Sequence, residues 1–375
     1  MSGTIDFTRS LPPVPEGLGS TLAAALQAVA HQDLEAIGRA TLPLGREADR
    51  VAAAAWLAPR FGSAIDPDRI VIANGTQSAV LLLLRSFVTP GKRLGAEALS
   101  YGMLKSLAEM AAIPVEALPL DREGLEPGAL ERACATGALG AIYCNPTFHN
   151  PTGTVMSEAR RSEIAGIARR HGVPIIEDDP IGLLYSGIAR PIAALAPDCT
   201  WYISAMTKTI AQGMRVAHLV CPSSQAAASF VAPYARLSNW VAAPLMAAAA
   251  TWLIESGEGI ILRGRIAEEN LAREVAARAI LPETSSAPGS PHVWLPLAAA
   301  ITQPLTAMLD ADGVLVRDHQ MFRVNDTGPV PSGIRLSLSS PIARDSVIDG
   351  LHRVSNCLSK LPWRLPDAEL AVGSF

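Results

Sequence analysis

Two neighbouring stretches, YCNPTFHNPTG (143–153) and VPIIEDDP (173–180), decide how this chain is read. Each starts with an apolar run and breaks into polar, Pro- and Gly-containing sequence. Ala141–Cys144 and Val173–Glu177 therefore read as buried strands whose ends carry polar side chains. Between them, Ser157–His171 places Ile164, Ile167 and Ala168 at helical spacing. Strand, helix and strand in this order make a crossover that sets two strands parallel. Outward from this unit, Arg69–Ala73, Trp201–Ser204 and Val216–Cys221 read as further strands alternating with helices. The fold class expected is α/β, a mostly parallel central sheet with flanking helices.

The flanks are organised differently. Helices are expected at Leu22–Ala30 and Glu47–Leu57, after a Pro-rich entry at Leu11–Pro15. Trp240–Ile254 is 15 residues without a charge, too short to span a bilayer, and reads as a buried helix. A charged helix at Gly264–Ala279, a Ser/Pro/Gly-rich connector at Thr284–Pro291, a strand at His292–Leu297, a helix near Leu305–Ala311 and a strand at Ile334–Ser339 make a smaller α+β unit. The division expected is an N-terminal arm with helices (1–50) packing on the small domain or a partner subunit, a large α/β domain (51–254) and a small C-terminal domain (255–375).

Composition removes other classes. The net charge is −4 with no long basic run, which argues against nucleic acid or an anionic membrane as partner of this chain. Five scattered cysteines show no metal-ligand or redox spacing, so reduced thiols and a cytoplasmic location are expected. The first residues have neither the basic nor the apolar part of a signal peptide.

Four patterns fall at strand ends, where open α/β sheets bind ligands. Asn74-Gly75-Thr76-Gln77 follows the first strand and opens a helix, so its backbone N–H groups suit a phosphate, although taken alone it reads as an N-capping turn. Asn150-Pro151-Thr152-Gly153 is a rigid turn presenting an amide that can donate to a phenolate oxygen. Glu177-Asp178-Asp179 puts acids at the exit of a buried strand, where they need a partner such as a metal or a protonated ring nitrogen, or serve as a helix cap. Ser204-Ala205-Met206-Thr207-Lys208 sets a lysine just past another buried strand, with Arg215 seven residues on suited to a phosphate.

In order and spacing these patterns resemble the fold-type-I aminotransferases, most closely the aminotransferase-like domain of GntR-family regulators of the MocR type. The likeness runs through 143–185 and through IDFTRSLPP (5–13), ANGTQSAV (73–80), HVWLPL (292–297) and GIRLSLSS (333–340). It implies a pyridoxal 5′-phosphate (PLP) cofactor carried by Lys208 as a Schiff base, and an aminotransferase acting on an amino acid and a 2-oxo acid. Asp178 would face the pyridinium nitrogen and Asn150 the phenolate oxygen, while Tyr101 would stack on the ring. Gly75, Thr76, Gln77, Ser204 and Arg215 would hold the phosphate, and Arg335 the substrate carboxylate. The resemblance also implies a homodimer.

Three positions depart from the family pattern. Pro180 and Ile181 stand where a tyrosine usually donates to the phenolate oxygen. Ala205 replaces a hydroxyl, and no tyrosine precedes a turn around Ala40–Gly45. The first departure opens two further readings: another PLP reaction (elimination, decarboxylation or oxidation), or a non-catalytic sensing domain. The winged-helix domain of the regulators has no counterpart in these 375 residues, so a free-standing enzyme or a separate effector half is expected.

Overall fold

A computed structural model describes residues 3–39, 42–237, 240–341 and 343–362. The expectation about a tyrosine around Ala40–Gly45 falls partly on residues 40 and 41, which lie outside that range. Seven strands form the central sheet: β1 (Ile70–Ala73), β2 (Arg93–Glu97), β3 (Val115–Leu118), β4 (Leu139–Cys144), β5 (Ile175–Asp178), β6 (Thr200–Ala205) and β7 (Ala217–Val220). Their order is β3-β2-β4-β5-β6-β7-β1. All neighbours are parallel except β7, which is antiparallel to both β6 and β1. Because two reversals restore direction, β1, β4, β5 and β6 end at the same edge of the sheet.

Local sequence explains the crossover that was legible. Ser157 caps the helix Glu158–His171 by accepting the N–H of Arg160 at 3.2 Å, and Gly172, with φ of +64°, ends it in the left-handed region. The buried strand β5 follows at once. Apolar layers cover both sheet faces, with Val71, Ala73, Ile203 and Ala205 in one and Ile70, Ile72, Tyr202 and Val220 in the other. β2 and β3 were not anticipated.

The C-terminal part holds a second, antiparallel sheet: β8 (His292–Pro296), β9 (Arg317–Asp318) and β10 (Gly333–Ser337), in the order β8-β10-β9. Trp294 stands opposite Arg335 and His292 opposite Ser337. The N-terminal segment is tied to this part, since Ile5–Asp6 pairs with Val314–Leu315 and Phe7 is fully buried in its core. No single described helix is long and apolar enough to cross a membrane.

Candidate active site

Lys208 lies on the short connection between β6 and β7, the place where the chain turns antiparallel. The same connection holds Arg215, in the left-handed region at φ +48°. Across from it, Gly75 opens the helix Gly75–Phe87 at φ +75°, and a Cβ there would lie 3.5 Å from the Arg215 guanidinium. An arginine is thus laid beside the free N–H groups at the start of a 13-residue helix, a suitable bed for a phosphate.

A small cavity of about 80 Å³ opens here. Its walls include Thr76, Tyr101, Asn150, Asp178, Ile181 and Lys208. Five of these were predicted site residues. Gln77 joins through its side chain, which donates to the Tyr101 hydroxyl at 2.9 Å. Arg335 joins through Asn150, donating to its Oδ1 at 2.9 Å. This leaves the Asn150 amide N–H groups for the cavity. Ser204 is the exception. It is buried within β6, opposite His218, does not line the cavity, and its hydroxyl has no partner among the described residues.

The three acids at the end of β5 are sorted by their partners. Glu177 accepts from Arg161 and from the N–H groups of Ile192 and Ala193. Asp179 accepts from Arg60 at 2.9 Å, Tyr202 at 3.1 Å and the Gly182 N–H at 2.9 Å. Asp178 alone turns to the cavity. Its Oδ2 accepts from the Tyr143 hydroxyl at 2.6 Å, while its buried Oδ1 has no partner among the described residues. Burial, reinforced by Asp179, pushes its pKa up to about 7 despite the Tyr143 hydrogen bond and nearby Lys208.

Lys208 is shifted the other way. Burial, with Arg335, Arg215 and Arg9 nearby, lowers its pKa to about 8 against the pull of Asp178. Its amine donates to the carbonyl of Ser10, and Arg335 donates to the carbonyl of Thr8 at 2.5 Å. Both cations therefore rest on the N-terminal segment. Burial beside Arg317 lowers Arg335 to about 10.

Ile181 faces the cavity and packs with Phe148, Leu184 and Ile266. Tyr185 does not take the place of a phenol there, because its hydroxyl donates to the Gly289 carbonyl and its ring lies 4.5 Å from Phe148. Sequence reasoning missed Ser10, Asn145, Phe148 and His292 in the cavity wall. Asn145 and Phe148 carried a signal, lying inside the decisive stretch. His292, more than 80 residues from Lys208, and Ser10 lay inside two of the quoted stretches, HVWLPL and IDFTRSLPP, but nothing in either marked them as cavity residues.

An unpartnered buried carboxylate oxygen, a lysine of lowered pKa, a free amide and an arginine beside a helix N-terminus together fit a phosphorylated, protonatable heterocycle. The fold defines the same class. Kynurenine aminotransferase of Pyrococcus horikoshii, in complex with PMP, superposes with a TM-score of 0.85 at 22% identity over 96% of this chain and 92% of that one. The family Aminotransferase class I and II matches residues 4–341, and the chain belongs to it. That membership implies PLP as the cofactor. Aromatic-amino-acid aminotransferase 1 of Thermococcus litoralis is 31% identical over 44% of this chain and 42% of its own length. The HTH-type transcriptional regulator YdeF of Bacillus subtilis is 31% identical over 45% of this chain, and the vitamin B6 salvage repressor PtsJ of Salmonella typhimurium 28% over 80% of this chain and 68% of its own length. The chain spans only 33% to 37% of the length of the three B. subtilis regulators it first matches.

Proposed function

We propose that this protein is a PLP-dependent aminotransferase that moves an amino group between an amino acid and a 2-oxo acid, with Lys208 as the cofactor-bearing and proton-moving residue. The observation that carries the reading is that Lys208 and Asp178, whose Oδ1 has no partner among the described residues, line one cavity. When bound, PLP supplies a ring that withdraws electrons from the substrate Cα. Asp178 holds negative charge where the ring nitrogen would lie. Asn150 donates its amide to the ring oxygen, and Tyr101 covers the ring face. Gly75, Thr76, Gln77 and Arg215 bind the phosphate, and Ser204, which does not line the cavity, is left out of that set. Arg335 binds the substrate carboxylate in exchange for the Thr8 carbonyl it now engages. Lys208, neutral in a large fraction near pH 8, takes and returns the proton at Cα. The working form in this reading is a cytoplasmic homodimer.

Incubation of the purified protein with PLP should give visible absorption, and borohydride should fix the label on Lys208. Adding amino acids should then release the matching 2-oxo acids. A label on another lysine, or no label, refutes the reading. A second reading, a sensing domain that binds cofactor and amino acid without turnover, is favoured by the apolar Ile181 in the cavity wall and by the regulators among the relatives. It is supported if binding is seen and no oxo acid appears in a single turnover.

A further inference from the structure

Tyr143 is a fully buried ionisable residue with no part in the chemistry proposed above. It stands next to last on β4, in register with Ile176 of β5, and its hydroxyl donates to Asp178 Oδ2. Two residues on, the Asn145 side chain donates to the main-chain carbonyl of Asp178 at 2.5 Å. The end of β4 thus grips both the backbone and the side chain of the last residue of β5. A carboxylate that is free to turn about its Cβ–Cγ bond offers either oxygen to a ligand. One whose Oδ2 is anchored offers Oδ1 in a fixed plane. Neither neighbouring acid can take over, because Glu177 is spent on Arg161 and Asp179 on Arg60.

We infer that Tyr143 is a positioning residue of the cofactor site, which anchors Asp178 Oδ2 and so aims Oδ1 at the ring nitrogen of the ligand. The inference rests on the PLP reading. The aromatic body of Tyr143 belongs to the apolar layer with Ala96, Ile176 and Ile203, so Tyr143→Phe keeps that packing and deletes only the hydroxyl. A hydrogen bond to a charged group is stronger than one between neutral groups, and its loss should be read as about tenfold or more.

The experiment compares PLP with its deaza analogue, in which carbon replaces the ring nitrogen, by tryptophan-fluorescence titration of the cofactor-free protein. Wild type should prefer PLP. Tyr143→Phe should narrow that preference by about tenfold, while binding of the analogue changes little. In an Asp178→Asn background, Tyr143→Phe should leave the preference where it was. An equal loss for both ligands would mean a merely structural role and overturn the inference, as would an unchanged preference or an effect that persists without Asp178. If wild type binds neither ligand, the cofactor reading itself fails and the inference falls with it. Attachment to Lys208 together with an unmoved preference removes the inference alone.

Discussion

Lys208 carries its chemistry in the difference between its pKa of about 8 and the usual lysine value. At pH 7 a group of pKa 8 is about one-tenth deprotonated, against roughly one part in several thousand for an ordinary lysine. Burial does most of this, and three guanidinium groups add to it, while Asp178 pulls the other way. The neutral amine is the nucleophile. The rate at which visible absorption develops on mixing cofactor-free protein with PLP should therefore rise with pH through about 8 and then level off. A rate that keeps climbing past pH 10 would show an ordinary exposed amine. Four residues on, the same connection returns to glycine-containing turn sequence and reaches Arg215. A lysine and a phosphate ligand share one loop because β7 reverses direction so soon after β6.

At the scale of elements, the end of β5 holds three acids in sequence with three separate tasks. Asp179 and Arg60 form a buried pair, 2.9 Å apart and both almost without exposure. Removing one partner strands the other charge, which costs about 3–5 kcal/mol. Asp178→Ala removes a carboxyl that has no cation bonded to it. Asp179→Ala should thus lower the urea midpoint strongly, whereas Asp178→Ala should leave it near wild type and abolish the preference for a ring nitrogen. The reverse outcome would mean the two acids had been assigned to the wrong tasks. The residue types alone offered Glu177, Asp178 and Asp179 as equal neighbours, and only the family resemblance singled out Asp178. What decided the division was tertiary packing: Arg60 and Arg161, from the helices Glu47–Phe61 and Glu158–His171, meet at the Thr147 hydroxyl and take Asp179 and Glu177 as partners. The strands flanking the crossover were legible because Ala141–Cys144 and Ile175–Ile176 are apolar throughout, as strands buried on both faces must be. β2 and β3 were not. Arg93 and Glu97 bracket a glycine in the first, and Val115-Glu116-Ala117-Leu118 suits a helix as well as a strand. Both become strands because β2 has a parallel partner on each side. Ser204 misled for a related reason. Its proximity to Lys208 in sequence is real, but side chains alternate along a strand, and its turn falls on the face away from the cavity.

For the molecule as a whole, buried groups that favour their neutral forms set the response to pH. His149 and His218 are lowered to about 4 and His292 to about 3, each chiefly by burial. Unfolded, they would titrate near 6.5, so as pH falls below that value the unfolded chain takes up protons that the folded chain refuses, and stability drops. Glu97 works in the opposite sense. It is fully buried at the end of β2, its Oε1 accepts from the Cys144 thiol, and its Oε2 has no hydrogen-bond donor among the described residues. Burial raises its pKa to about 8, whereas in the unfolded chain it would ionise near 4.3. Between those values the folded state holds a proton that the unfolded state has released, so stability declines as pH rises, by about 1.4 kcal/mol per unit. Asp178, at about 7, adds to this decline until a cofactor engages it. Glu177, raised by burial to about 7, adds to the decline too, so three histidines against three carboxyls nearly cancel between about pH 4.5 and 6.5, and the carboxyls act alone above it. Glu97→Gln separates the contributions, since glutamine keeps the Oε1 acceptor and cannot ionise. The variant should gain on wild type by about 2–3 kcal/mol between pH 5 and pH 7 and stop gaining above about 8. Urea unfolding of the cofactor-free protein at each pH measures this directly. A difference between the two proteins that does not change with pH would mean that Glu97 is ionised throughout and paired with a protonated His149, whose Nε2 lies 3.9 Å away.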